Sequence, residues 1–182
     1  MMNNDLFKGT LIRLTAARDT DAEEMAVWQE NSDYLRKLDT DFAAPKSIET
    51  LREHELSNGS GTIEFRLRTI QDDKFIGFVA LHSIEWNNQA CLLAIGIGNP
   101  DYLGKGYGTE ALNLILRYAF YELNLNRVGL DVISYNLPAI KAYEKAGFLV
   151  EGRMRSAVLR DGKQYDRIIM GILREEWMQK QS

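Results

Sequence analysis

The 182-residue chain holds one cysteine, two histidines and three prolines, and each scarcity removes a class of explanation. Cys91 alone cannot close an intrachain disulfide, and within its apolar run it reads as a buried thiol rather than a nucleophile. His54 and His82 stand at no metal-ligand spacing with each other or with Cys91, so no metal is expected. No block of lysine and arginine is present and the net charge is −4, so nucleic acid is not an expected partner. No apolar run is long enough to span a bilayer, and no membrane association is expected. Met1-Met2-Asn3-Asn4-Asp5 lacks the basic and apolar blocks of a secretory signal, which points to a cytoplasmic location. With 45% hydrophobic and 26% charged residues, the composition is that of an ordinary globular chain, and one domain over residues 1–182 is expected.

Periodicity then divides the chain. Residues 10–15 alternate Ile12 and Leu14 with polar neighbours and read as a strand. Asp19-Thr20-Asp21 starts a helix that runs to about Asn31, and Ser47 opens a second that ends near Asn58-Gly59. The linker between them carries little pattern and is suited to shaping a substrate mouth. Residues 62–69, 75–84 and 90–98 read as strands joined by turns at Asp72-Asp73 and Asn87-Asn88. The last of these is nearly all apolar, as a central strand would be. From Thr109 to about Leu123, Leu112, Ile115, Leu116, Ala119, Phe120 and Leu123 form one helical stripe. Residues 127–134 read as a strand, Asn136 and Pro138 start a short helix stopped by Gly147, and Arg160-Asp161-Gly162-Lys163 turns a closing hairpin. Strand–loop–helix–strand–helix–strand order implies a mixed sheet with at least one parallel pair.

The most specific stretch is Leu103-Gly104-Lys105-Gly106-Tyr107-Gly108-Thr109, between a strand and a helix. Its glycines let the backbone approach a ligand, and the helix that follows offers free N–H groups to an anion. A Walker loop needs Ser or Thr after Gly-Lys, but Gly106 follows Lys105. A dinucleotide fingerprint needs G-x-G-x-x-G after the first strand of a βαβ unit, and neither spacing nor position agrees.

The loop instead matches the (Gln/Arg)-x-x-Gly-x-(Gly/Ala) pattern of the GNAT superfamily of acyl-CoA-dependent N-acyltransferases at Gly106 and Gly108. The resemblance extends to Asn99-Pro100-Asp101-Tyr102 before the loop, Thr109-Glu110-Ala111 after it and Asn126-Arg127-Val128. The spacing from Asn136 through Ala139 and Tyr143 to Gly147-Phe148 looks like that family's second signature. The segment from Arg160 to Trp177 resembles the branch of ribosomal-protein N-terminal (alanine/serine) acetyltransferases. Two departures stand out. Leu103 replaces the usual Gln or Arg, and residues 89–98 hold no carboxylate where many relatives carry one.

The resemblance implies an α/β (α+β) GNAT-like fold: a mixed, mostly antiparallel sheet of about seven strands flanked by helices and splayed at a parallel pair. It implies acetyl-CoA as cosubstrate and direct transfer to a primary amine, possible at a protein N-terminus. A small-molecule amine (polyamine, aminoglycoside or amino acid) is the alternative acceptor, and a non-catalytic acyl-CoA sensor the alternative activity. Relatives occur as monomers or homodimers. Leu103, Gly104, Lys105, Gly106, Tyr107, Gly108 and Thr109 would surround the CoA pyrophosphate, while Gly96, Ile97 and Gly98 would pair with the pantetheine arm and polarise the thioester. The same glycines could instead relieve crowding within the sheet. Asn136 would contact the pantetheine or cap the helix after it. Tyr143 would protonate the departing thiolate, its phenol holding a proton up to a pH of about 10, or be a core aromatic. His82, Glu85 and Asp131 are the candidates for general base, none singled out. The carboxylate missing from residues 89–98 favours an amine of low basicity, with a pKa of roughly 8 rather than 10.4, deprotonated through water.

Overall fold

The computed structural model describes residues 5–56 and 61–181, the side chains of residues 54–56 excepted. Alternating strands and turn residues build a single sheet from β1 (Ile12–Thr15), β2 (Ile63–Thr69), β3 (Phe75–Glu85), β4 (Ala90–Ile97), β5 (Arg127–Ile133), β6 (Leu149–Arg160) and β7 (Lys163–Leu173), in the order β1-β2-β3-β4-β5-β7-β6. Every neighbouring pair is antiparallel except β4 with β5. The expected mixed sheet with one parallel pair is what the chain forms.

Six α-helices cover the sheet: α1 (Asp21–Gln29), α2 (Ser32–Leu38), α3 (Ile48–Leu56), α4 (Tyr107–Arg117), α5 (Leu137–Ala146) and α6 (Arg174–Gln181). α4 lays its apolar stripe on one face. Leu112, Ile115, Leu116, Ala119 and Phe120 are all at most 1% exposed and join Val79, Leu81, Leu93, Val128, Leu130, Met170 and Ile172 in one core. Removing such side chains from water contributes about 1.5–3 kcal/mol each. The final turn of this helix, Tyr118–Glu122, widens to π geometry.

The other face carries α1 and α2. Trp28 packs on Phe75 with ring centroids 4.7 Å apart. Beneath them Asp21, Arg66 and Arg68 are buried, with Arg68 and Asp21 joined in an ion pair and Arg66 paired with Glu64.

Three expectations from the sequence change. The first helix does not run on to Asn31: it stops at Gln29, and the Asn31 side chain accepts hydrogen bonds from the N–H groups of Asp33 and Tyr34 to start α2. An Asn followed by Ser-Asp is a helix-start signal inside what reads as linker. α4 begins at Tyr107, two residues before Thr109, because Gly106 adopts a left-handed φ of 91° and ends the loop there. A sixth helix, Arg174–Gln181, follows β7 and buries Trp177. The expected end of α3 near Asn58-Gly59, the opening Met1–Asn4 and the His54 side chain lie outside the described residues.

Glu110 on α4 fastens the chain leading into β1. Its carboxylate accepts from Thr10 N and Oγ1, Leu11 N and Ile12 N at 2.6–2.8 Å. Burial raises the pKa of this group, but the hydrogen bonds outweigh burial and hold it below its ordinary value. A depressed folded-state pKa adds stability that is present above the unfolded value of about 4.3 and disappears as pH falls through the folded one. Glu110→Gln should therefore lower the melting temperature at pH 7 and flatten its decline between about pH 5 and 3. Thermal melts across that range check it, and parallel wild-type and variant curves would refute the assignment.

Candidate acyl-transfer site

The parallel pairing of β4 with β5 lasts three residues, Ala90–Leu92 against Arg127–Gly129. Beyond it β4 keeps its ladder with β3 as far as Ile97 opposite Gly77. β5 keeps its ladder with β7 as far as Ile133 opposite Arg167. Each strand is thus held on its outer side while the inner edges diverge, leaving alternate N–H and C=O groups on both edges without a strand to pair with. A ligand carrying amide groups of its own can satisfy such edges.

At the mouth of this opening β4 leads into the glycine loop. Asn99 accepts a hydrogen bond from Asp101 N at 3.0 Å and fixes the single turn Pro100–Tyr102. Tyr102 stacks edge-on against Tyr107, with centroids 5.0 Å apart. Leu103 is 57% exposed, and Gly104 (φ 69°) and Gly106 (φ 91°) have left-handed backbones that a side chain would strain. Gly106 caps α4 with no side chain, so the N–H groups of Tyr107, Gly108 and Thr109 face outward at the positive end of the helix. A Cβ on Gly108 would meet only Ile97 Cγ1 at 3.9 Å, an ordinary contact. Packing within the protein does not demand glycine there.

Gly96 and Gly98 answer to a different constraint. A Cβ at Gly96 would lie 2.8 Å from Leu38 Cδ1, 2.8 Å from Phe78 Cε1 and 3.0 Å from Tyr34 Oη. At Gly98 it would lie 2.0 Å from the Trp28 ring. Both glycines let α1 and α2 sit directly on β4, so crowding explains their identity. The crowding comes from helices above the sheet and leaves the inner edge of the strand open.

The candidate residues distribute unevenly around the opening. Tyr143, on α5, is 8% exposed with its ring edge-on to Phe148. Its hydroxyl makes no hydrogen bond among the described residues. Burial, followed by the negative charge of Asp131, pushes its pKa up to about 12, so the phenol keeps its proton. Asn136 precedes α5 but does not cap it; its Nδ2 donates instead to the carbonyl of Lys37 at 3.4 Å. Asp131 faces the α2 side of the opening, gripped by Arg167 through Nε at 2.5 Å and a second nitrogen at 2.8 Å. That two-pronged pair occupies both carboxylate oxygens. His82 lies at the closed end, opposite Leu92, with Nδ1 3.1 Å from Ser83 Oγ. Glu85 stands beyond the closed end, opposite Ala90, where it accepts from Asn88 Nδ2 at 2.5 Å in the hairpin turn. The loop, β4 and Asp131 border the opening, and Glu85 lies outside it.

Several residues around it escape a reading of the sequence. α2 lies across the α1-side face of the opening and is tied down from beyond it. Tyr135 Oη donates to the carbonyl of Arg36, and Arg36 pairs with Asp161 at 2.8 and 2.9 Å. Arg160 donates to the carbonyls of Asp39, Thr40 and Asp41 at 3.4, 3.0 and 2.8 Å. Glu64, Ala80 and Ala94 form one cross-strand row on this face, with the small alanines between the carboxylate and the opening. Cys91 is buried, and burial pushes its thiol up to about 12, away from any nucleophilic role.

Comparisons with known proteins agree with this geometry. Residues 12–149 match the family described as the acetyltransferase (GNAT) domain. A probable N-acetyltransferase of Bacillus subtilis is 32% identical over 178 residues, 92% of this chain and 97% of that protein. A putative ribosomal N-acetyltransferase of the same organism is 31% identical over 108 residues, 59% of this chain and 58% of that one. A spermidine N(1)-acetyltransferase of Vibrio cholerae is 31% identical over 105 residues, 58% of this chain and 60% of the relative. The crystal structure of a Vibrio cholerae spermidine N-acetyltransferase in complex with CoA and spermine superimposes with a TM-score of 0.84 at 24% identity, covering 93% of this chain and 99% of that one. With its family match, its split sheet and its uncapped glycine loop, the chain belongs to the GNAT family of acetyltransferases.

Proposed function

We propose that this chain transfers the acetyl group of acetyl-CoA directly to a primary amine of a small cationic molecule of the polyamine kind. The observation that carries the choice of acceptor is α2 and residues 39–41, strapped over the acceptor face by Tyr135, Arg36 and Arg160. A strap of this kind suits a slender acceptor better than a folded protein terminus. Glu64 on β2 and Asp131 on β5 lie on the same face, each held in an ion pair, with Arg66 and Arg167 respectively. Asp39 and Asp41 add negative charge near Arg167. The relative named for spermidine supports the same acceptor class.

In this reading the uncapped first turn of α4 holds the CoA pyrophosphate, and the open edge of β4 at residues 95–97 pairs with the amides of the pantetheine arm. Tyr143 gives its proton to the departing thiolate; burial holds the phenol protonated until that step and also makes it a weaker acid. A protein N-terminus is the second reading, favoured by the segment from Arg160 to Trp177 and by the ribosomal relative.

Release of CoA thiol from acetyl-CoA should occur with spermidine and fail with peptides of varied N-termini, aminoglycosides and free amino acids. Turnover with peptides alone would establish the second reading. Acetyl-CoA binding without turnover across the panel would make the chain an acyl-CoA sensor, and no binding would remove the cofactor assignment. Tyr143→Phe should lower kcat by about 10²–10⁴-fold with little change in acetyl-CoA affinity. Loss of binding or of folding would make Tyr143 structural. Gly108→Val should weaken CoA binding at least about tenfold, roughly 1.4 kcal/mol, while the melting temperature holds near wild type. Unchanged affinity in a calorimetric titration would take the loop out of the site.

A further inference from the structure

Tyr34 plays no part in the family resemblance, yet its position marks it. It sits on the first turn of α2 with its Oη 3.0 Å from where a Gly96 side chain would begin. Leu38 Cδ1 and Phe78 Cε1 lie 2.8 Å from the same point, and Tyr34 itself is half-buried. The hydroxyl makes no hydrogen bond among the described residues. Burial first, and then the negative charge of Glu64, raise its pKa above the ordinary tyrosine value, so it carries its proton at any working pH. A protonated, unpartnered phenol has thus been placed over the backbone that flanks the split.

We propose that the Tyr34 hydroxyl donates a hydrogen bond to the thioester carbonyl oxygen of bound acetyl-CoA and strengthens it as negative charge develops there. The inference rests on the acetyl-CoA reading above. The amine nitrogen attacks the carbonyl carbon, a C–N bond forms and the C=O electron pair moves onto oxygen, toward Tyr34. Tyr34 keeps its proton throughout. Collapse restores C=O and breaks the C–S bond, the thiolate takes the proton of Tyr143, the amine releases its proton to solvent, and Tyr143 regains one from solvent. A donor fixed in place acts most where the charge grows, so it lowers the barrier more than it tightens binding.

The test uses [1-13C]acetyl-CoA bound to the full chain. The isotope-edited infrared band of the thioester carbonyl should lie below its value in water for wild type and move back up in Tyr34→Phe, which keeps the ring over Gly96. Affinity for acetyl-CoA should change less than about threefold, and kcat with spermidine should fall by about 10²–10³-fold. An unshifted band in the variant would overturn the proposal even if activity fell, because packing alone would then explain Tyr34. A large loss of acetyl-CoA affinity with an unmoved band would overturn it equally. Wild type that does not bind acetyl-CoA would instead refute the cofactor reading, so the two failures are separable.

Discussion

The architecture turns on where the β4–β5 ladder stops. Three parallel pairs, Ala90–Leu92 with Arg127–Gly129, join the two halves of the sheet, and past them each strand is held only from outside. Unpaired backbone groups inside a protein are costly unless something satisfies them, by roughly 1–3 kcal/mol for each group left without a partner. A strand pair that diverges without losing its outer ladders is therefore a stable framework for a linear ligand rich in amides. The rest of the molecule either keeps the edges apart or equips them.

The two faces do this differently. On one face α4 supplies the core and, at its first turn, an uncapped positive end facing the mouth of the split. Glu110 fixes that turn to the residues leading into β1, so loop position and sheet edge are tied together. On the other face α1 and α2 press so closely on β4 that Gly96 and Gly98 have no space for a side chain. Tyr135, Arg36, Asp161 and Arg160 then hold α2 from the far side of the split, which encloses the acceptor approach. Tyr143 on α5 is buried and Tyr34 on α2 half-buried, and removal from water raises the pKa of both phenols. Donors that hold their protons suit a reaction in which charge appears first on a carbonyl oxygen and then on sulfur.

Asn136 and Asp131 show how a spatial partner changes a residue's meaning. As a residue before Leu-Pro-Ala, Asn136 looks like a helix cap, but its amide reaches the end of α2 instead. As an acid on a strand, Asp131 looks unpartnered, until β7 brings Arg167 alongside it. Neither partner is near in sequence: Lys37 is 99 residues from Asn136, and Arg167 is 36 from Asp131.

The sequence by itself determined what local chemistry can encode. Period-two alternation marked β1 and β2, a continuous apolar run marked β4, and turn residues bounded the other strands. Apolar spacing from Leu112 to Phe120 defined the core face of α4, and Gly104, Gly106 and Gly147 marked the left-handed turns. The loop motif was readable for the same reason: a phosphate site made of backbone needs only consecutive residues. Tertiary structure decided what depends on contacts between distant segments. It set the length of the β4–β5 pairing, separated α2 from α1 and laid it over the opening, and gave Gly96 and Gly98 their crowding. It also placed Tyr34 above the open edge and closed Asp131 into an ion pair. Hydrophobic period and turn propensity act over a few residues, whereas the charge, burial and partners of a side chain are set by whichever strands and helices the sheet brings together.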